Sequence, residues 1–257
     1  MALKNLAKLI NEASKVKPIQ DQFLQDLTVT IEKADESHTP SKTYKPSSLG
    51  GCMRNLYFQV TGATPDDEDR SYTNIGQTAS GTDRHVTIQT AISKMQAMGF
   101  DCEWINVAEF LKTHPVEGTI VERQSGMETK CRNTILNINF LCDGLIRYKG
   151  KYYIVEIKTE SFYKWQGQVQ PYDDHITQAS SYSVCLGVDN IIFIYENRDS
   201  CDLKTFLVHV TDEMKEERVV GKINTCDEYV AKGEVPPKST IKKDCTYCRY
   251  KKECNKW

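Results

Sequence analysis

Apolar residues three or four positions apart indicate amphipathic helices in several parts of this 257-residue chain. The predicted helices cover residues 3–15, 19–33, 74–98 and 173–186, with a further helix from Thr211 to about Lys232. Prolines and small polar residues predict a loop over 34–47. In the helix over 74–98, His85 shares a face with Ile88 and Ile92, which is usual for a histidine in a hydrophobic core.

Apolar and alternating runs predict strands in the second half of the chain. They lie over residues 118–122, 135–148, 151–158, 191–195 and 203–210, while 103–112 is predicted as a short helix or strand and 160–172 as a loop. Lys149-Gly150 is predicted to form a two-residue hairpin loop, because glycine adopts the positive φ that such loops need. The loop pairs Tyr148 with Lys151, and the same register places Asp143 opposite Glu156.

Composition narrows the class of protein. With 39% hydrophobic and 26% charged residues, the chain is expected to be globular, and its length suits one elaborate domain or two small ones. A net charge of −2 means that nucleic acid would be bound by local basic patches rather than attracted by the whole protein. No run of apolar residues is long enough to span a membrane, and no signal peptide begins the chain, so with ten cysteines a cytoplasmic protein is expected.

The predicted hairpin brings together groups that suit a divalent cation. Glu156 and Lys158 lie on one face of their strand, and Asp143 faces Glu156 across the hairpin. Two facing carboxylates repel each other unless a cation lies between them, and Mg²⁺ or Mn²⁺ prefers carboxylate and carbonyl oxygens, such as the carbonyl of Ile157. Lys158 could then orient or deprotonate a water molecule. The alternative is that these charges are solvated on an exposed sheet.

Cysteines form a second pattern. Cys245, Cys248 and Cys254 lie within ten residues, and Cys52, at the predicted start of a helix, could supply a fourth thiolate. A split of one ligand plus three favours an iron–sulfur cluster over zinc, whose ligands usually come in pairs. The other six cysteines are expected to be structural; they are Cys102, Cys131, Cys142, Cys185, Cys201 and Cys226.

The C-terminal segment is basic and aromatic. Residues 238–257 contain seven lysines or arginines and two acidic residues, interleaved with Tyr247, Tyr250 and Trp257. This composition suits a phosphate backbone with stacked bases, although a solvated charged terminus is the alternative.

These motifs, in this order, resemble the PD-(D/E)xK nucleases. Asp143 with Glu156-Ile157-Lys158 resembles their D…E-x-K signature. Gly81-x-x-x-His85 and Gln178-x-x-x-Tyr182 resemble motifs of the RecB-like branch. The four cysteines resemble the four-iron cluster of CRISPR-associated RecB-type exonucleases and AddB-type nuclease domains. The resemblance extends from residue 47 to the C-terminus, and one departure is Cys142 where the signature has proline.

The resemblance implies a restriction-endonuclease-like α/β fold, with a central mixed β-sheet flanked by helices. Residues 1–46 would be an N-terminal helical extension, and residues 47–257 a RecB-like nuclease domain closed by a cysteine-bound 4Fe-4S cluster. His85 would join Asp143, Glu156 and Ile157 as a metal ligand, while Gln178 and Tyr182 would support the catalytic site and the DNA path. His175 could touch DNA, or be a polar residue at a helix start.

The expected activity is that of a Mg²⁺- or Mn²⁺-dependent DNA exonuclease acting on single-stranded ends, in a bacterial cell or a phage-infected host. Its setting would be recombination, repair or CRISPR adaptation, with proteins of those processes as partners. Two alternatives remain. One is a non-catalytic nucleic-acid-binding subunit with an iron–sulfur cluster or zinc, and the other is an endonuclease on the same fold.

Overall fold

The computed structural model describes residues 18–34, 41–66, 71–246 and 248–257. The helix predicted over 3–15 and the tail residue Tyr247 lie outside these ranges. The described residues fall into two compact units, one made of 18–34 and 71–80, the other of 41–66, 81–246 and 248–257. In the described part of the chain, no helix has the length and apolar character that crossing a membrane would require.

The first unit contains helix α1, Ile19–Ala34, as predicted. Glu32 Oε1 accepts a hydrogen bond of 2.9 Å from the backbone N–H of Tyr72. The apolar face of the helix is largely solvent-exposed, with Ile19 77% and Phe23 67% accessible. The amphipathic pattern therefore predicted the helix but not the burial of its apolar face.

The second unit is built on a five-stranded mixed sheet in the order β1-β5-β6-β7-β8. The strands are β1 Cys102–Trp104, β5 Gly144–Tyr148, β6 Lys151–Glu160, β7 Asn190–Asn197 and β8 Leu203–His209. Strands β6 and β7 are parallel and the other neighbours antiparallel. A separate antiparallel sheet consists of β2 Thr119–Ser125, β3 Glu128–Asn133 and β4 Ile138–Cys142. The predicted α/β fold with a central mixed sheet and flanking helices is confirmed.

The remaining helices precede, connect or follow these strands. They are α2 Pro46–Leu49, α3 Met53–Thr61, α4 Tyr72–Ser93, α5 Val107–Thr113, α6 Phe162–Gly167, α7 Asp173–Leu186, α8 Asp212–Lys215, α9 Gly221–Lys232, α10 Lys242–Thr246 and α11 Lys251–Cys254. A 3₁₀ turn covers Gln96–Met98, and a π-helical segment, Glu216–Val220, joins α8 to α9. Thr211 caps α8 as predicted, since its side chain accepts a hydrogen bond from the N–H of Met214.

Two predicted segments differ from the structure. Residues 160–172 were expected to be a loop, but Phe162–Gly167 is helical, because the segment has no glycine or proline before Gly167. The extended stretch over 135–148 is two strands in two different sheets, β4 and β5, and the chain passes from one sheet to the other at Asp143. Residues 103–112 hold the end of a strand and most of helix α5.

Strand β6 is packed on both faces. Val155 and Ile157 lie with Ile88 and Ile92 of α4 in one apolar cluster, whereas Ile154 belongs to the larger cluster that includes residues of α7. Burying each such side chain contributes about 1.5–3 kcal/mol to folding. The central strand is thus packed between two helices.

Candidate active site

Asp143 lies at the point where the chain passes between the two sheets. The predicted register is present from Tyr148↔Lys151 to Gly144↔Val155, one pair short of Asp143 and Glu156. Asp143 itself leaves the ladder, and its Oδ2 accepts a 2.8 Å hydrogen bond from the backbone N–H of Ile157. The carbonyl oxygen of Asp143 accepts a 2.7 Å hydrogen bond from Gln89 Nε2 of α4. Both its carboxylate and its backbone are therefore fixed.

Glu156 is 1% solvent-accessible, and its two carboxylate oxygens have different surroundings. Oε1 is 2.6 Å from Lys158 Nζ. Oε2 is buried and makes no hydrogen bond with any residue that the structure describes. Burial and the negative charge of Asp143 raise the pKa of Glu156 to about 7. A buried carboxylate oxygen without a partner is costly, and a cation would remove that cost.

His85 projects from α4 toward Asp143. Its Nδ1 is 3.4 Å from Asp143 Oδ1, so the predicted upstream histidine does reach the hairpin. Burial alone would lower the pKa of His85, but the hydrogen bond to Asp143 and the charge of that carboxylate raise it above its ordinary value. In the motif Gly81-x-x-x-His85, a Cβ at Gly81 would be 3.6 Å from Thr159 Oγ1, an ordinary contact. Packing alone does not require glycine there.

Lys158, Gln178 and Tyr182 form a hydrogen-bonded chain. Lys158 Nζ donates to Gln178 Oε1 at 3.0 Å, and Gln178 Nε2 donates to the hydroxyl of Tyr182 at 2.8 Å. Tyr182 is buried, and this burial, with the charge of Glu156, raises its phenol pKa well above the usual value. The chain fixes the amide orientation of Gln178 and keeps the ammonium group of Lys158 beside Glu156.

The donor set fits a hard divalent cation. Asp143, Glu156 and His85 offer two carboxylates and an imidazole, and only the main chain of Ile157 can face the site, since its side chain is buried in the opposite apolar cluster. Among the described residues, no three His, Cys, Asp or Glu side chains are gathered as a ready-made ligand cluster. His85 is instead paired with Asp143, and Lys158 with Glu156. The unpartnered Glu156 Oε2 is the atom that a cation would satisfy.

The predicted cysteine ligands lie where the start of α3 meets the C-terminal segment. Cys52 is the N-cap of α3, and the residues two and three positions after it contact two of the other thiols. Arg54 NH1 is 3.5 Å from Cys254 Sγ, and Asn55 Nδ2 is 3.7 Å from Cys248 Sγ. Cys248 Sγ also accepts from the N–H of Tyr250 at 3.4 Å. Burial raises the pKa of the Cys52 thiol, and the charge of Cys248 raises it further.

The other cysteines are mostly buried, as expected of structural residues. Cys102, Cys131, Cys142, Cys185 and Cys226 are buried, but Cys201 is exposed, so the structural expectation does not hold for it. In the basic tail, Tyr250 is also buried, with its ring 5.9 Å from that of Phe58. Of the tail aromatics that the structure describes, Trp257 is the exposed one, at 70%.

Sequence patterns did not point to Gln89, Arg84 or Glu196. Gln89 lies four positions after His85, so helical spacing alone could have placed it beside Asp143. Arg84 Nε is 2.9 Å from both carboxylate oxygens of the buried Glu196, and its NH2 also contacts Oε1. No spacing rule links residues 112 positions apart. His175, considered as a DNA contact, has its Nδ1 2.7 Å from the buried Tyr195 hydroxyl.

No protein-family model and no curated protein matches the sequence of this chain. Among solved structures, the chain is similar to SSO0001, with a TM-score of 0.45 and 15% identity over 91% of this chain and 94% of that chain. It is also similar to an alkaline exonuclease, LHK-Exo from Laribacter hongkongensis, with a TM-score of 0.42 and 14% identity over 75% and 88%. LHK-Exo in complex with dAMP gives 0.43 and 15% over 74% and 87%. Since TM-scores below 0.5 do not establish a shared fold, these likenesses assign neither a family nor an activity to this chain.

Proposed function

We propose that this protein is a divalent-metal-dependent DNA nuclease of the PD-(D/E)xK type, and in particular an exonuclease acting on single-stranded ends. The observation that carries the proposal is the buried Glu156 carboxylate, whose Oε2 has no partner in the described residues while Asp143 and Lys158 are held beside it. Lys158 contacts only the other oxygen, and a bound cation would supply the partner that the buried Oε2 lacks.

The side chains have different roles in the proposed phosphodiester hydrolysis. Asp143, Glu156, His85 and the Ile157 carbonyl would hold Mg²⁺ or Mn²⁺, which supplies polarisation of the phosphate and a water molecule of lowered pKa. Lys158 Nζ, held by Gln178, places a positive charge and a proton donor beside the reacting phosphate.

Gln178 and Tyr182 act through Lys158. The hydroxyl of Tyr182 accepts from Gln178 Nε2, which leaves Gln178 Oε1 facing the ammonium group. Because the two contacts use both ends of one amide, neither can change without disturbing the other. They are positioning residues in this proposal.

The test is a nuclease assay on 5′- and 3′-labelled single- and double-stranded DNA with Mn²⁺. Glu156→Gln should abolish cleavage, and Lys158→Met should slow it by roughly 10²–10⁴-fold, the usual contribution of a proton-transfer group. Lys149→Met in the exposed hairpin loop is the matched control and should be fully active. Intact DNA with the unsubstituted protein would contradict the proposal, as would equal activity of Glu156→Gln. Cuts in circular DNA would indicate an endonuclease, and metal-independent binding without cleavage a non-catalytic subunit.

We further propose that Cys52, Cys245, Cys248 and Cys254 bind a 4Fe-4S cluster. The proposal is supported by the approach of Arg54, Asn55 and the Tyr250 N–H to two of the sulfurs, since hydrogen-bond donors stabilise thiolates.

Protein purified without oxygen should be brown and contain iron. Cys245→Ser should lose both properties, whereas the control Cys201→Ser should keep them. A colourless protein with stoichiometric zinc would contradict the cluster. The proposed nuclease domain covers residues 47–257, and the proposed setting is recombination, repair or CRISPR adaptation in the cytoplasm.

A further inference from the structure

Helix α6, Phe162–Gly167, presents two exposed aromatic rings just after strand β6, which carries Glu156 and Lys158. Tyr163 is 86% accessible and Phe162 41%. Their ring centroids are 5.7 Å apart at an interplanar angle of 76°. Adjacent apolar side chains exposed on a surface can mark a binding site, so this pair of rings is a candidate contact for a ligand.

The backbone under the rings is fixed. Trp165 lies on the inner side of α6, where its Nε1 donates to the carbonyl of Tyr195 at 3.3 Å. Lys204 Nζ donates to the carbonyl oxygens of Trp165 at 2.5 Å and Gln168 at 3.2 Å, and lies 4.1 Å from the Trp165 ring centroid. The N–H of Phe162 donates to Asp199 Oδ2 at 3.1 Å. The exposed rings are therefore displayed by a segment anchored to β7 and β8, which lowers the entropic cost of binding.

Two basic residues lie near the rings along the backbone: Lys164 follows Tyr163 on α6, and the N–H of Arg198 donates to the carbonyl of Glu160, two residues before Phe162. The side chain of Lys164 is 68% accessible and only loosely paired, its Nζ being 3.7 Å from Glu160. Arg198 is exposed, and its NH2 donates to the Thr159 carbonyl at 3.4 Å. Aromatic rings with flanking cations suit a polyanion that also offers flat apolar faces.

The surface continues the candidate active site along β6. A strand rises about 3.3 Å per residue, so Glu160 lies roughly 13 Å from Glu156, and the rings follow directly after it. That distance is comparable to about four stacked nucleotides at roughly 3.4 Å each. Only single strands expose base faces at such a point, because a duplex stacks its bases inside.

We propose that Phe162, Tyr163 and Lys164 form a stacking platform for single-stranded DNA, a few nucleotides from the bond that is cleaved. This inference rests on the proposed nuclease function and adds the substrate contact that would favour single strands. Tyr163 stacks on a base, Phe162 supports the edge of its ring, and Lys164 contacts the phosphate between neighbouring nucleotides.

The experiment separates binding from cleavage. Affinity for a fluorescent single strand of about 12 nucleotides is measured with the full-length protein and Ca²⁺ in place of Mn²⁺, and turnover is measured with Mn²⁺ on a dinucleotide too short to reach the platform. Tyr163→Ala should weaken binding of the longer strand by roughly tenfold or more and leave dinucleotide cleavage unchanged. Tyr163→Phe, which keeps the ring, should restore binding. Leu207→Ala, an exposed apolar position on β8, is the matched control and should bind normally.

The possible outcomes separate the platform from the nuclease proposal. If the unsubstituted protein cleaves DNA but Tyr163→Ala binds the single strand normally, the platform is wrong and the nuclease proposal stands. That result would also be obtained if the rings served a protein partner. Equal loss of dinucleotide cleavage and binding would mean that Tyr163 acts on the fold, which overturns the platform as well. If the unsubstituted protein neither binds nor cleaves DNA, the proposed function is wrong, and the platform, which depends on it, is wrong too.

Discussion

Replacing Arg84 with methionine leaves the carboxylate of Glu196 buried without the guanidinium that it now binds. Glu196 lies on β7 and is 0% accessible, while Arg84 precedes His85 on α4. The ion pair is bidentate, since Arg84 Nε and NH2 both donate hydrogen bonds to the Glu196 carboxylate. It fixes the turn of α4 from which His85 reaches Asp143. Methionine keeps the apolar stem of the side chain and removes only its charge and hydrogen bonds.

The size of the effect follows from the unequal burial of the two partners. Removing one member of a buried ion pair costs about 3–5 kcal/mol, because the other charge stays buried. The Arg84 side chain is 35% accessible, so water screens part of the interaction and the lower end, about 3 kcal/mol, is expected. For a domain of this size that corresponds to a fall in Tm of roughly 6–12 °C.

The assay is a four-member cycle followed by thermal unfolding and by single-stranded DNA cleavage. It compares the unsubstituted protein with Arg84→Met, Glu196→Gln and the double variant. The double variant should regain most of the lost stability, because no charge remains buried. Its nuclease activity should stay roughly ten- to a hundredfold low, since the His85 turn is no longer held to β7.

Three results would contradict this reasoning. A Tm for Arg84→Met within about 2 °C of the unsubstituted protein would mean that the pair contributes little to the fold. A double variant as unstable as Arg84→Met would show that the loss comes from packing rather than from the buried charge of Glu196. Full activity in the double variant would remove the link between this pair and His85.

The remaining predictions concern the groups around the site. Affinity for Mn²⁺ should fall roughly tenfold per pH unit below about pH 7, because a proton on Glu156 competes with the cation; titration calorimetry measures this, and a flat profile would contradict it. Gln89→Leu should cost about 1–3 kcal/mol in urea unfolding and lower activity, because the Asp143 carbonyl loses its donor; unchanged values would exclude this role. Gly144→Ala should cost about 1–3 kcal/mol, since its Cβ would lie 2.5 Å from Trp104 Cη2, and the additional change Trp104→Leu should recover part of it.

The hairpin could be predicted because its determinants are local. Lys149-Gly150 has the positive φ values that a two-residue loop requires, and these fix the register through five residue pairs. Glu156 and Lys158 follow from the alternation of a strand, and Gln178 and Tyr182 from the spacing of a helix. In each case the relevant geometry lies within one short, continuous stretch of the chain.

Features that depend on distant parts of the chain could not be predicted in this way. Alternation continued through Asp143, but the chain changes sheets there, at a glycine whose missing Cβ makes room for Trp104. The contact of His85 with Asp143 joins elements 58 positions apart, and only the resemblance to a nuclease motif suggested it. Arg84 and Glu196 carry no local signal at all, because any surface helix can contain an arginine.

The pairing of charges explains why the described residues contain the expected ligands but no assembled ligand cluster. Asp143 is paired with His85, and Glu156 with Lys158, so each carboxylate already has a nitrogen partner. The pairs differ, however, because Lys158 satisfies only one oxygen of Glu156 and leaves the buried Oε2 without a partner. A divalent cation near Oε2 and Asp143 would add two positive charges, which would oppose the upward shift in the pKa of His85 and favour the neutral imidazole that can act as a ligand. Lys158 can remain in place during this exchange, since Gln178 holds it from the other side. The same four side chains therefore suit both the metal-free fold and a metal-bound site.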